Sequence, residues 1–417
     1  MSESKPDGKP FVISKRLVWE AWQRVKANRG AAGVDEESIA EFESDLKGNL
    51  YKLWNRMSSG SYMPPPVRAV EIPKKGGHGV RVLGVPTVAD RVAQTVARLY
   101  LEPEVEPVFH PDSYGYRPRR SAHDALRTCR TRCWKYDWAI DLDLRAFFDT
   151  LDHALVLRSV AHHSDLRWML LYVERWLQAP LQLADGTLQQ RDRGSPQGSA
   201  ISPVLANIYL HYALDMWLVR EFPGVPFERY ADDAILHCKT KAQAQLVLGA
   251  LIERLAAVGL ELNLDKTRIV YCKDSNRHGS HEHEQFTFLG YTFRPRQAQN
   301  RSGVVFASFL PAISDDAAKA MRRTIKRWRL HLWSSRALAD LAREIRPIVQ
   351  GWINYYGSFY VSRLIQSLGL INKYLVRWAM RKYKRLRRRP GRAWDFLRAV
   401  AKRQPGLFAH WTVGARP

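Results

Sequence analysis

The phrase Tyr230-Ala231-Asp232-Asp233 sets two carboxylates side by side, where they repel each other unless a cation offsets their charge. A third carboxylate, Asp143, lies well upstream at the end of an apolar run. Three carboxylates that a fold can gather make a site for Mg²⁺ rather than for a proton. Oxygen ligands of any origin suit that ion, so the backbone carbonyl of Leu144 is a further candidate. A bare Asp-Asp pair is also an ordinary turn, and the surrounding elements have to decide between the two.

Residues 228–231 and 234–238 read as two short strands with Asp232-Asp233 at the turn between them. A hairpin tip holds carboxylates outward on a rigid support. In Trp138-Ala139-Ile140-Asp141-Leu142-Asp143-Leu144 a period of two puts the large apolar side chains on one face and both aspartates on the other. Asp149 or Thr150 then caps the following helix, with Asp152 in its first turn. Those two aspartates thus have local work that Asp143 lacks. Gly194-Ser195-Pro196-Gln197-Gly198-Ser199 is a turn-forming loop, and Ser202 and Pro203 signal the start of a helix. Glycines beside a helix start let backbone approach a nucleotide or a base pair closely.

Taken in order, these segments resemble the reverse transcriptases encoded by group II introns. Asp143-Leu144-Arg145-Ala146-Phe147-Phe148-Asp149 is similar to the first catalytic motif of that family, and Tyr230-Ala231-Asp232-Asp233 to the second. Ser195-Pro196-Gln197-Gly198 with the helix after it resembles the primer-grip and nucleotide-pocket region. Asn28-Arg29-Gly30 through Asp35 resembles the N-terminal extension, and Ser113-Tyr114-Gly115-Tyr116-Arg117-Pro118 the fingers. The resemblance covers nearly the whole chain. It implies an α+β right-hand polymerase fold, with fingers and palm of antiparallel sheet plus helices, followed by an α-helical thumb or maturase domain. The expected divisions are a helical N-terminal extension at 1–65, fingers and palm at 66–300, thumb and maturase at 301–385, and a short basic segment at 386–417 ending the maturase/DNA-binding region.

The resemblance also implies roles. Asp143, Asp232 and Asp233 would hold two Mg²⁺ ions, with Leu144 completing a shell, for primer extension by RNA-directed DNA synthesis. Phe148 would pack under the incoming sugar and exclude a 2′-hydroxyl. Lys74 (or its neighbour Lys75) and Arg81, on either side of a Gly-rich turn, would hold the triphosphate, with Gln197 and Gly198 in the nucleotide pocket. Lys266 matches a lysine that protonates pyrophosphate; a solvated surface lysine is the alternative. Ser199-Ala200 stands where two glycines or Gly-Val are commoner.

The chain has 417 residues, with 65 Lys and Arg against 41 Asp and Glu. Residues 301–417 hold 25 of the basic residues and 5 of the acidic ones, most of the net charge of +24. Charge so concentrated is the footprint of a polyanion partner. Ile345, Ile348, Val349, Trp352, Ile353 and Tyr356 follow helical spacing, so this region reads as a helical bundle with a basic exterior. Most of its aromatic rings read as core. Arg322, Arg323, Lys326 and the run Arg381, Lys382, Lys384, Arg385, Arg387, Arg388 and Arg389 are the candidate nucleic-acid contacts, with Arg29 and Arg117 from the N-terminal half. The words from Ile345 to Gly357 and from Pro405 to Trp411 resemble the maturase domain. The implied partners are group II intron RNA, an RNA template with a DNA primer, dNTPs and target DNA, in splicing and retrohoming.

Four cysteines form no paired zinc-ligand pattern, and His278, His281 and His283 read as a polar loop. With no disulfide framework, signal peptide or apolar span, a bacterial cytoplasm and no membrane are expected. No His-Asn-His endonuclease region follows Trp411, so an existing DNA end is the expected primer for mobility. Two other readings compete: a splicing cofactor without polymerase activity, and a host-adopted enzyme of repair or defence.

Overall fold

The computed structural model describes residues 9–73 and 79–417. It mixes helices with small sheets and divides into two compact units: residues 1–120, 142–236 and 245–267, and residues 121–141, 237–244 and 268–417. The chain therefore passes between the units several times rather than filling one before the other.

In the first unit three helices, Lys15–Asn28, Ile39–Ser44 and Leu46–Ser59, start on Ser14, Ser38 and Asp45, whose side chains each accept a backbone N–H. Such caps satisfy donors that a helix start leaves open. Val18, Ala21, Trp22 and Val25 form the buried face of the first helix. The long helix Val88–Val105 supplies the unit's centre, with Val92, Ala93, Val96, Ala97 and Leu101 fully buried. Near its start Asp90 accepts hydrogen bonds from Tyr62, Trp176 and Gln94 at 2.7–2.9 Å. Burial lifts its carboxyl to about 6. Strands Val67–Pro73 and Val80–Val85 pair antiparallel, closing with Pro73 opposite Val80. Leu181–Gln182 joins the first of them in parallel, which makes a mixed sheet that Leu188–Gln189 extends.

The second unit pairs Trp138–Leu142 antiparallel with Arg268–Tyr271. It also holds a three-stranded antiparallel sheet of Phe286–Phe288, Tyr291–Gln299 and Val305–Ile313. Four long helices follow, Asp315–Trp328, Leu338–Tyr356, Val361–Lys382 and Pro390–Arg403, and then the short helix Ala409–Thr412. Their core gathers Met321, Ile325, Leu341, Ile345, Val349, Leu368, Ile371, Trp378 and Trp411. Ile348, expected on the apolar face of its helix, is instead exposed. All four cysteines are buried thiols. No described helix is long and apolar enough to cross a membrane.

One buried polar knot ties the C-terminus to this core. Asn372 donates to Ala415 O, and its side-chain oxygen faces both His410 Nε2 and Trp411 Nε1 at 2.8 and 2.9 Å. That arrangement places the imidazole proton on Nε2. A second proton would sit at Nδ1, which meets no acceptor among the described residues. Burial accordingly holds His410 down at about 3 against an ordinary 6.5. Below about pH 6.5 the unfolded chain takes up a proton that the folded chain refuses. The stability contributed here is complete above that pH and lost as pH falls toward 3. Urea midpoints measured from pH 7 to pH 5 should fall more steeply for the wild type than for His410→Gln, which cannot titrate; equal slopes would contradict this account.

Candidate active site

Strands Phe227–Tyr230 and Asp233–Cys238 form a hairpin in which Tyr230 pairs with Asp233. The turn is thus only Ala231-Asp232, and Asp233 begins the return strand instead of sharing the tip as expected. So tight a reversal needs an unusual backbone, and Ala231 adopts φ 58°, a left-handed conformation that costs a residue with a side chain about 1–2 kcal/mol.

Arg229 holds that turn in place. Its Nη1 donates to the Ala231 carbonyl and to Asn207 Oδ1, both at 3.0 Å, while Nε and Nη2 grip Asp215 at 2.7 and 2.6 Å. Both members of the ion pair are fully buried. Asp215 is delivered by a π-helical turn, His211–Asp215, inserted after the helix Ser202–Leu210; such turns are frequent at functional sites. On the other side, Asn207 Nδ2 donates to Gly115 O, Tyr114 N donates to Arg229 O, and Arg229 N donates to Asp112 O. A Cβ on Gly115 would lie 2.2 Å from Ala231 N, so only glycine permits this approach.

Asp143 is fixed by different means. Asn263 N donates to its carbonyl at 2.9 Å, and its own N–H donates to Thr267 Oγ1 at 3.2 Å. Leu144 bridges to Leu262, and Arg145 meets Glu261 through both backbone and side chain. The segment alongside delivers Lys266, whose Nζ stands 3.4 Å from Asp143 Oδ2.

The three carboxylates share one field. Burial, and then Asp143, push the Asp232 carboxyl up, opposed by Arg81. Asp233 is exposed as a residue, yet burial of its carboxyl in the cleft, then Asp232 and Asp143, raise it to about 6, with Lys266 opposing. Carboxylates drawn together in this way, countered by Arg81 at Asp232 and by Lys266 at Asp143 and Asp233, fit divalent cations.

These groups line a cleft of about 1140 Å³, together with Leu144, Arg81, Phe148, Gln197, Gly198 and Lys266. Lys74 lies outside the described residues. Phe148 is half-buried, set edge-on to Phe147, and its carbonyl accepts from Ser195 N. Gly198 has φ 119° and packs on the Gly84 carbonyl, which would lie 2.6 Å from a Cβ. Ser199-Ala200, the departure from the commoner pair, is held by Gln94, whose oxygen accepts from Ser199 Oγ and Ala200 N at 2.5 and 2.8 Å. Tyr116 also lines the cleft. Its hydroxyl pKa is raised by burial and then by Asp232.

Several sequence expectations need correction. Arg117 is not a surface contact: its guanidinium is buried, paired with Glu106 at 2.8 Å, and donates to the carbonyls of His110 and Ser113. Lys382 is likewise committed, donating to the Ser334 and Arg336 carbonyls. Asp152, not Asp149 or Thr150, caps the helix His153–Ala161. Ser202 does not cap its helix; its hydroxyl reaches back to Ser195 and Pro196. Arg29, Arg322, Arg323, Lys326, Arg381, Lys384, Arg385, Arg387, Arg388 and Arg389 are exposed. Arg229, Asp215, Asn207 and Gln94 went unread, because nothing local announces a bond across 14 or more residues.

Three carboxylates beside cations and a half-buried ring in one cleft are the groups that a nucleotidyl-transferring polymerase site requires. Comparison with known proteins narrows this. The model of the reverse transcriptase (RNA-dependent DNA polymerase) family matches residues 72–293, and that of the group II intron maturase-specific domain matches residues 318–398. Protein YkfC of Escherichia coli is 34% identical over 323 residues, covering 67% of this chain and 81% of that protein. The group II intron-encoded protein LtrA of Lactococcus lactis is 32% identical over 203 residues, 48% of this chain and 33% of its own length. A putative COX1/OXI3 intron 1 protein of Saccharomyces cerevisiae is 32% identical over 224 residues, 52% of this chain and 26% of that one. The chain belongs to the reverse transcriptases of the group II intron maturase type. It spans about a third or less of these two intron proteins.

The buried clasp generates a direct test. Arg229→Lys keeps the charge beside Asp215 but cannot span Asp215, Asn207 and the Ala231 carbonyl at once. The turnover number in single-nucleotide primer extension should fall about 100-fold, the usual scale for misplacing a catalytic group by an ångström, with template–primer affinity unchanged. A folded Lys variant that extends at the wild-type rate would refute the positioning role.

Proposed function

We propose that this chain copies intron RNA into DNA at the Asp143, Asp232 and Asp233 site, and that its basic helical unit binds the same RNA to promote splicing and retrohoming. The gathering of the three aspartates with Lys266, Arg81 and Phe148 in one cleft carries the polymerase reading. In this reading residues 1–65 are the N-terminal extension, 66–300 the fingers and palm, 301–385 the thumb and maturase, and 386–417 the basic C-terminal segment.

Asp143, Asp232 and Asp233 would hold two Mg²⁺ ions, with the Leu144 carbonyl completing the ligands. When bound, the ions ease deprotonation of the primer 3′-hydroxyl and neutralise the leaving pyrophosphate. Arg81 and Lys74 orient the triphosphate of an incoming dNTP as charge develops on it. Gln197 and Gly198 bring backbone close to the nucleotide, with Gly198 braced on Gly84. The Phe148 ring occupies the space a ribose 2′-hydroxyl would need. Lys266 turns from Asp143 toward the pyrophosphate and supplies its proton. In the second unit Arg322, Arg323, Lys326 and the exposed arginines from Arg381 to Arg389 contact RNA or target-DNA phosphates, so affinity falls with salt.

Primer extension on an RNA template tests the assignment. Asp232→Ala should slow it by roughly three orders of magnitude, about 4 kcal/mol; wild-type extension by this variant would end the metal-site reading. Phe148→Ala should raise ribonucleotide use about 10–200-fold relative to deoxynucleotides, and unchanged discrimination would remove the gate role. Replacing Arg387, Arg388 and Arg389 with alanine should weaken intron RNA binding. It should also lower the slope of log affinity against log salt by about 2–3; an unaltered slope would place the RNA elsewhere.

A further inference from the structure

A second cavity opens in the first unit, of about 770 Å³, sharing no lining residue with the aspartate cleft. Its walls come from the helices His153–Ala161, Met216–Glu221 and Lys241–Ala257 and from the π-helical turn. Arg158, Arg220 and Arg254 line it with His162, Tyr212 and Trp217, and no Asp or Glu does so among the described residues. That is a departure from its surroundings. Residues 1–300 carry 40 Lys and Arg against 36 Asp and Glu, so three arginines without an acid do not reflect regional composition.

The rings are held in advance. Tyr212 stacks on His163 at 5.7 Å with its hydroxyl 2.6 Å from His163 Nε2, and His162 meets Tyr212 edge-on. Trp217 is braced edge-on by Phe222. Arg254 is fixed by donating to the carbonyls of Ala213 and Tyr212 at 3.0 and 3.1 Å. Arg158 is exposed. Arg220 pairs only with neighbouring Glu221, both largely exposed, an attachment too weak to retain it. Rigid rings beside exposed guanidinium groups match the two faces of a nucleotide: a base to stack on and a phosphate to bind. In duplex RNA the bases are already stacked, so the match is to an unpaired stretch.

We propose that this groove binds an unpaired RNA segment, separately from the template–primer cleft and from the basic helical unit. The proposal goes beyond the catalytic reading, and its crosslinking arm does not need that reading, since binding is tested without dNTPs. The full-length protein, saturated with a template–primer duplex, would be photocrosslinked to a 4-thiouridine-containing single-stranded RNA, and the crosslinked peptides mapped. Crosslinks are expected within residues 209–220, alongside others in residues 301–417. The double variant Arg158→Glu, Arg220→Glu changes only exposed side chains. It should lose the first set about tenfold or more and retain the second, with primer extension on a short template at the wild-type rate. Trp217→Ala should weaken the same crosslinks about 5–150-fold, the range for one stacked base. Absence of crosslinks at residues 209–220 in the wild type, or their persistence in both variants, would overturn the proposal. So would concentration-dependent self-association abolished by Met216→Glu, which would make the groove an interface between copies.

Discussion

The ion pair between Arg229 and Asp215 has no access to solvent, and the Ala231-Asp232 turn depends on it. Removing one partner from such a pair costs about 3–5 kcal/mol, because the other charge is left buried alone. That penalty lets Arg229 act as a rigid bracket: while Asp215 is in place, the guanidinium points its remaining donor at the Ala231 carbonyl. The left-handed backbone at Ala231 then persists despite its cost, and Asp232 emerges from the turn in one direction only. A carboxylate of the cleft is thus aimed through the backbone, by a charge it does not touch.

The opposite wall is built from weaker parts. Asp143 is placed by two backbone contacts with the Asn263–Thr267 stretch, and the same stretch brings Lys266 to its carboxylate. The lysine therefore serves as a resident countercharge for an acidic cluster that has to exist before any substrate arrives. The loop that carries Gln197 and Gly198 hangs on a further chain of polar contacts, from Asp90 through Gln94 to Ser199 and Ala200. Each wall of the cleft has its own anchor.

What could be read in advance follows from the range of each interaction. The period-two pattern of 138–144 and the paired strands around Asp232 are local, and both were legible. So were the helical spacing of Ile345, Val349 and Trp352 and the core character of Trp378. Burial of charge was not legible. Arg117 and Lys382 look like their basic neighbours in sequence, yet one is locked to Glu106 and the other to carbonyl oxygens. Composition counts charges; only packing shows which of them face water. The turn at Ala231-Asp232 was misjudged by one residue for a related reason, since the contacts that tighten it come from Gly115 and Asn207, distant in the chain.

The π-helical turn at His211–Asp215 also sets a rule about length. An α-helix advances about 100° per residue, and a π turn amounts to one extra residue accommodated without unwinding the rest. Deleting a single position between Leu210 and Asp215 would restore regular helix and swing Asp215 away from Arg229. The segment from Ser202 to Glu221 should therefore tolerate changes of side chain at many of its outward positions but hardly any change in its count of residues. In this part of the chain, spacing is as much a functional property as residue identity.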